Sequence, residues 1–242
     1  MQWDVFCRVI DNWGDVGVCW RLSAALAGGG EVVRLWIDDP APLDWMAPGA
    51  REGRWPGIEV RPWPLAGWLA PEDRPSDVWI EAFACEPPAS LVERRRQAVE
   101  AGTQPAPVWI NLEYLSAEAW VRRCHALPSP LQHGPGRGLT RWFFHPGFTE
   151  GTGGLLREPG LMERQAAFDR RAWRRRAGLP QDAPIGSLFC YDPPALSALL
   201  DRVGAGRALE HLLVAPGRAS QAVQSVLIAS GGSGRLTGND RS

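Results

Sequence analysis

Short apolar runs alternate with stretches of helical composition through the first 115 residues, and this alternation restricts the chain to few folds. The runs fall at residues 3–10, 31–37, 57–60, 77–83 and 107–112, each bounded by Pro, Gly or Asp. Between them, residues 18–26 have helical composition and close on Gly28, Gly29 and Gly30, and residues 89–101 form a helix rich in Glu and Arg. Strands separated by helices predict right-handed βαβ crossovers and a mostly parallel sheet, hence an α/β fold. Further on the rhythm weakens. Residues 116–124 predict a helix capped by Ser116, and 126–160 predict long loops around one short strand at 142–144. A helix is expected over 161–177, ending at Gly178 with Pro180 beyond. A second α/β rhythm then follows, with strands at 185–191 and 211–215 and helices at 195–203 and 220–229. The expected organisation is a first Rossmann-like domain over 1–178, a partial second one over 179–229, and a disordered Gly- and Ser-rich tail over 230–242.

Composition excludes several chemistries. All 26 basic side chains are arginine, so Schiff-base enzymes, lysine nucleophiles and the P-loop, which needs a lysine on the phosphates, are ruled out. A formal charge of −1 and an isoelectric point near 6.4 argue against nucleic-acid binding through the bulk field. Gly (27) and Pro (22) together stay below the level that marks low complexity, and 45% hydrophobic residues suffice for a core. No stretch has the length of a membrane span, and the first residues lack the pattern of a signal peptide. Five cysteines without a CxxC pair read as reduced thiols of a cytoplasmic protein, with no metal site.

Chemistry concentrates directly after the first strand, in Asp11-Asn12-Trp13-Gly14-Asp15-Val16-Gly17. In open α/β sheets ligands bind outside the carboxyl ends of strands, where helix N-termini present N–H groups. Gly14 and Gly17 permit close approach of a phosphate, yet two carboxylates four residues apart repel an anion and suit a cation or proton transfer. Asp15 as a helix N-cap with Asp11 in a turn is the plainer alternative. Glu113, after the strand ending in Asn111-Leu112, falls on the same rim, either as a second acidic wall or as a solvated strand end. Glu81 in the apolar run VWIEAF needs an arginine partner if buried. Phe189 and Tyr191 alternate onto one face at the end of a second-domain strand, as nucleobase contacts or as core. The arginines at 170, 171, 174, 175 and 176 read as a solvated helix face rather than a phosphate site.

Five blocks, in order over positions 1 to 220, carry a resemblance: FCRVIDNWGDVGVCWRLS, DVWIEAFACEPP, INLEYLSAEAWVRRCHALPSP, FFHPGFTEGTGGLLRE, and SLFCYDPPALSALL followed by HLLVAPG. Together they resemble the arginine rhamnosyltransferases that modify translation elongation factor P. The resemblance implies a GT-B glycosyltransferase: a first Rossmann-like domain for the protein acceptor and a second for the nucleotide sugar TDP-β-L-rhamnose. Transfer to an arginine of elongation factor P would invert the anomeric centre. Asp15 matches the general base and Asp11 a second essential aspartate. Asn12, Trp13, Gly14 and Gly17 match the donor-facing loop, where Phe or Tyr is more usual at the Trp13 position. Phe189 and Tyr191 match thymidine contacts, and Glu113 is expected to face the acceptor. No metal and no cofactor beyond the donor substrate are implied, nor any membrane or nucleic-acid partner.

Guanidinium chemistry agrees with this assignment. A guanidinium with a pKa above about 12 is no nucleophile until carboxylates localise its charge, orient one nitrogen and take the proton. Family blocks like GEDSFVRAQ and PFVWHIYPQ, which serve the diphosphate side, do not occur, and the similarity fades after Gly217. The expectation is therefore a C-terminally truncated chain, inactive or impaired in transfer. Two alternatives remain open: a non-catalytic fragment that binds the acceptor, or an unrelated nucleotide-binding α/β protein.

Overall fold

A computed structural model of the chain describes residues 1–9, 13–63, 73–191, 193–206 and 211–229. The expected tail at 230–242 lies outside them, as do Asp11 and Asn12. Contacts group the chain into two compact units, Met1–Leu161 and Met162–Ser242.

The first unit is built on a seven-stranded sheet of β1 (Gln2–Cys7), β2 (Val32–Ile37), β3 (Ile58–Pro62), β4 (Val78–Ala82), β5 (Val108–Leu112), β6 (Pro128–Pro130) and β7 (Thr140–Phe144). Its order is β3-β2-β1-β4-β5-β7-β6, and every pair is parallel except the β6–β7 edge. Strand order therefore reverses between β1 and β4, the point where doubly wound sheets open a crevice for ligands.

Side-chain alternation gives the sheet two apolar faces. Val5, Leu35 and Ile80 point to one face and pack with Val16, Cys19 and Trp20 of α1 (Gly14–Gly28). On the other, Phe6, Trp36, Trp79 and Trp109 pack with Leu91 and Val92 of α3 (Ala89–Glu100), which follows the one-turn α2 (Leu43–Met46). Buried charges in the sheet strands have polar partners, as the low dielectric requires. Arg34 makes a two-pronged contact with Asp4, at 2.6 and 2.9 Å. Glu81 is fully buried and accepts from Arg141 at 2.9 Å and from the Trp109 indole at 2.8 Å, supplying the arginine its apolar setting demands.

The structure revises three expected elements. The helix at 116–124 shrinks to α4 (Val121–Cys124), because the Ser116 hydroxyl accepts from the Glu118 amide and closes a local turn instead of capping a helix. Within 126–160 a second strand, β6, joins β7 as an edge strand, where two prolines cost no ladder bonds on the solvent side. The helix at 161–177 divides into α5 (Leu161–Ala166) and α6 (Arg170–Arg176), the latter capped by the Asp169 carboxylate on the Ala172 amide. By contact grouping α6 and all of α5 but its first residue fall with the second unit. Arg174 ties α6 to the chain that follows: one of its guanidinium nitrogens donates to the carbonyls of Pro180, Gln181 and Ala183. Arg174 is thus buried, and the solvated-face reading holds only for its neighbours Arg170, Arg171, Arg175 and Arg176.

Beyond α6 the second unit contains the parallel pair β8 (Ile185–Leu188) and β9 (His211–Val214), with α7 (Leu196–Gly204) and α8 (Arg218–Ala229). These match the expected strands and helices to within a few residues.

Candidate active site

Three chain segments leave the carboxyl edge of the sheet around the β1/β4 reversal and meet there. After β1 the chain enters α1, whose N-cap is Trp13; Asp15 lies in the first turn and is 4% exposed. Asp15 is therefore not the cap, and the plainer turn-and-cap reading fails for it. A carboxylate in the first turn is favoured by the helix dipole, typically by a few tenths to 1 kcal/mol. Gly14 and Gly17 have ordinary negative-φ geometry, and a Cβ at Gly14 would meet nothing within 4 Å. Neither glycine is therefore demanded by backbone strain or, among the described residues, by a close contact at Gly14.

After β4, Phe83 and Ala84 both adopt left-handed backbone, with φ of 57° and 59°. Such geometry costs a non-glycine residue about 1–2 kcal/mol. It is held by the Phe83 amide, which donates to the Leu112 carbonyl at 2.8 Å, and by a turn from Cys85 to Ala82. The result lays the Phe83 ring flat on Tyr114, with centroids 4.1 Å apart and planes at 9°. Tyr114 follows β5, and its hydroxyl donates to Asp15 Oδ1 at 3.3 Å.

Glu113, half-buried beside Tyr114, accepts from the Asn111 side-chain amide at 2.8 Å. Buried Asn111 Oδ1 has no hydrogen-bond partner. Next to this rim opens a largely apolar cavity of about 590 Å³, floored by Leu112 and Phe144 and edged by Glu113, Tyr114, Phe148 and Leu155. The loop that forms its far wall is pinned to α1: Arg21 pairs with Glu158 and donates to the Leu156 carbonyl at 3.1 Å. Within the loop, Gly153 packs so closely on Phe144 that a Cβ would collide with the ring. Behind it, burial pushes the His145 imidazole below its ordinary pKa, while the Glu113 charge pulls the other way.

Of the residues singled out in the sequence, Asp15, Trp13, Gly14, Gly17 and Glu113 lie in the first unit at this edge, Trp13 packed edge-on against Trp45. Asp11 and Asn12 fall outside the described residues. Phe189 and Tyr191 are in the second unit, 82% and 54% exposed in this chain, and the Arg218 guanidinium lies over the Tyr191 ring. Sequence reasoning missed Phe83, Tyr114 and Arg21. Tyr114 was adjacent to a chosen residue, but nothing in VWIEAF signals a left-handed Phe83. Among the described residues no group of three or more His, Cys, Asp or Glu is placed to hold a metal ion, and no helix is long and apolar enough to cross a membrane.

The first unit is thus a doubly wound α/β unit with acidic and aromatic side chains converging at its strand-order reversal. More narrowly, the chain belongs to the family described as Elongation-Factor P (EF-P) rhamnosyltransferase EarP, whose model matches residues 3–240. That match runs past Gly217, further than the five sequence blocks, and it removes the alternative of an unrelated nucleotide-binding protein. The protein-arginine rhamnosyltransferase of Pseudomonas putida is 48% identical over 228 residues, covering 89% of this chain and 57% of its own length. That of Pseudomonas aeruginosa is 44% identical over 231 residues, covering 90% and 58%. A solved structure described as the structural basis for EarP-mediated arginine glycosylation of translation elongation factor EF-P is 26% identical, covering 99% of this chain and 56% of that one, with a TM-score of 0.48. The chain thus spans less than two-thirds of the length of these relatives.

Proposed function

We propose that the chain serves the inverting transfer of L-rhamnose from TDP-β-L-rhamnose to an arginine side chain of translation elongation factor P, within a GT-B architecture. The observation that carries this reading is buried Asp15 at the β1/β4 reversal, in a chain of this family. In that role the first unit receives the acceptor. A guanidinium entering the rim meets the carboxylates of Asp15 and Glu113 above an apolar cavity, where low dielectric strengthens the pairing. Bidentate N–H bonds would concentrate charge on one side of the guanidinium and aim the remaining nitrogen at the anomeric carbon. As the N–C bond forms and the sugar–phosphate bond breaks, Asp15 accepts the proton leaving that nitrogen. Asp11 is the second carboxylate of this step.

In this reading the loop and first turn of α1, with Asn12, Trp13, Gly14 and Gly17, serve the donor, since helix N-terminal N–H groups suit a diphosphate. Phe189 and Tyr191 of the second unit supply rings for the thymidine. No metal is needed on this account, since backbone N–H groups take the leaving charge. Thiols rather than disulfides fit the cytoplasm, where the acceptor factor works.

Sequence blocks that serve the diphosphate in the family are not found in these 242 residues, so the chain on its own is proposed to hold acceptor but to transfer poorly. Intact-mass spectrometry of elongation factor P, incubated with this chain and TDP-β-L-rhamnose, tests both parts alongside a pull-down of the factor. Capture with little or no added rhamnose is expected. A stoichiometric rhamnose mass on arginine, lost in Asp15→Asn, would establish the reaction and reject the impairment. A factor neither captured nor modified would reject the whole reading.

A further inference from the structure

We infer that Tyr114, fixed in place by Phe83, is a positioning residue that aims the Asp15 carboxylate. This rests on the reading of Asp15 as the acceptor-facing carboxylate. Three observations carry it. The Tyr114 hydroxyl donates to Asp15 Oδ1 across 99 residues of sequence, joining the edge of β5 to the first turn of α1. Tyr114 is 56% exposed, so burial by itself does not explain the order of its ring; the parallel stack on Phe83 does, at 4.1 Å and 9°. And Phe83 reaches that stack from a pair of consecutive left-handed residues, Phe83 and Ala84, a geometry that persists only when the surroundings fix it.

One oxygen of Asp15 is thereby occupied and oriented by a phenol. The carboxylate plane is set before any ligand arrives, and its rotation about the side-chain bond is restricted. At 3.3 Å the bond is long for O–H to O. Hydrogen bonds of catalytic groups are commonly long without substrate and shorten in the complex. Tyr114 touches Asp15 and acts through it; its own contact with substrate is not required.

A double-mutant cycle on the 242-residue chain tests this without turnover. Binding of a short arginine peptide is followed by NMR titration, with the matching lysine peptide as control, for the unaltered chain, Asp15→Asn, Tyr114→Phe and the pair. Tyr114→Phe keeps the ring stack and removes only the hydroxyl, so its melting temperature should match that of the unaltered chain. Expected are a loss of arginine-peptide affinity on the order of a hundredfold for Asp15→Asn and on the order of tenfold for Tyr114→Phe. In the Asp15→Asn background, Tyr114→Phe should change affinity by less than about twofold. Tyr114→Phe binding as well as the unaltered chain, or costing the same in both backgrounds, overturns the positioning role while leaving Asp15 in place. Asp15→Asn binding as well as the unaltered chain, or no preference for arginine over lysine, overturns the acceptor reading itself.

Discussion

At the scale of single residues, the site is decided by what burial does to polar groups. Asp15 is buried in a helix first turn, where its charge is supported by the dipole and a phenol and is available to a guanidinium. Glu113 sits less deeply and is already engaged by Asn111, so on the proposed function its share of acceptor binding is expected to be smaller. Glu113→Gln should weaken binding of the acceptor factor by about 3- to 10-fold, measured by titration calorimetry, against a far larger loss for Asp15→Asn. Gly153 illustrates a different constraint. Its Cβ-sized gap is filled by the Phe144 ring, so Gly153→Ala must push the 146–156 segment outward. Thermal unfolding should show a loss of about 1–3 kcal/mol, the usual cost of overpacking, and acceptor binding should fall with it because the cavity wall moves. Unchanged stability in Gly153→Ala would mean that the loop yields freely.

At the scale of elements, two buried ionic anchors hold the strands and helices that carry the site. Glu81 in β4 is the pH-sensitive one. Burial raises its pKa from 4.5 to about 7, although Arg141 and the Trp109 indole pull it down. With a folded pKa above the unfolded one, the native state holds more protons between those values. The contribution of Glu81 to stability is complete below about pH 4.5 and is lost as pH rises through about 7. Glu81→Gln should remove that part of the pH dependence, flattening chemical-denaturation stability over this window by at most about 3 kcal/mol. A variant whose curve keeps the original slope would contradict the assignment. Arg174 is the other anchor, joining α6 to the carbonyls of 180–183. Arg174→Lys keeps the charge but replaces the guanidinium with a shorter, more strongly hydrated ammonium, and should cost the second unit about 2–3 kcal/mol in the same measurement. Equal stability would show that water replaces the guanidinium there.

At the scale of the whole molecule, most of the first unit was legible from its sequence, because strands buried on both faces read as continuous apolar runs and the glycines after α1 mark its end. Asp15 and Glu113 were legible for the same reason: each follows an apolar run, and carboxyl ends of parallel strands share one edge. What was hidden depended on tertiary contact. The left-handed Phe83, its stack on Tyr114 and the pairing of Arg21 with Glu158 join segments far apart in sequence, and no local pattern encodes them. The burial of Arg174 was hidden likewise, since a buried arginine on α6 looks in sequence like its solvated neighbours. In the proposed function the first unit receives an arginine of elongation factor P on the Asp15 rim. The direct measurement is the dissociation constant of this chain for that factor, compared with the factor carrying alanine at the modified arginine and with Asp15→Asn in the chain. The account predicts that each change alone weakens binding by at least about tenfold and that the two together weaken it little further. Equal affinity for the native and alanine factors, or losses from the two changes that simply add, would contradict it.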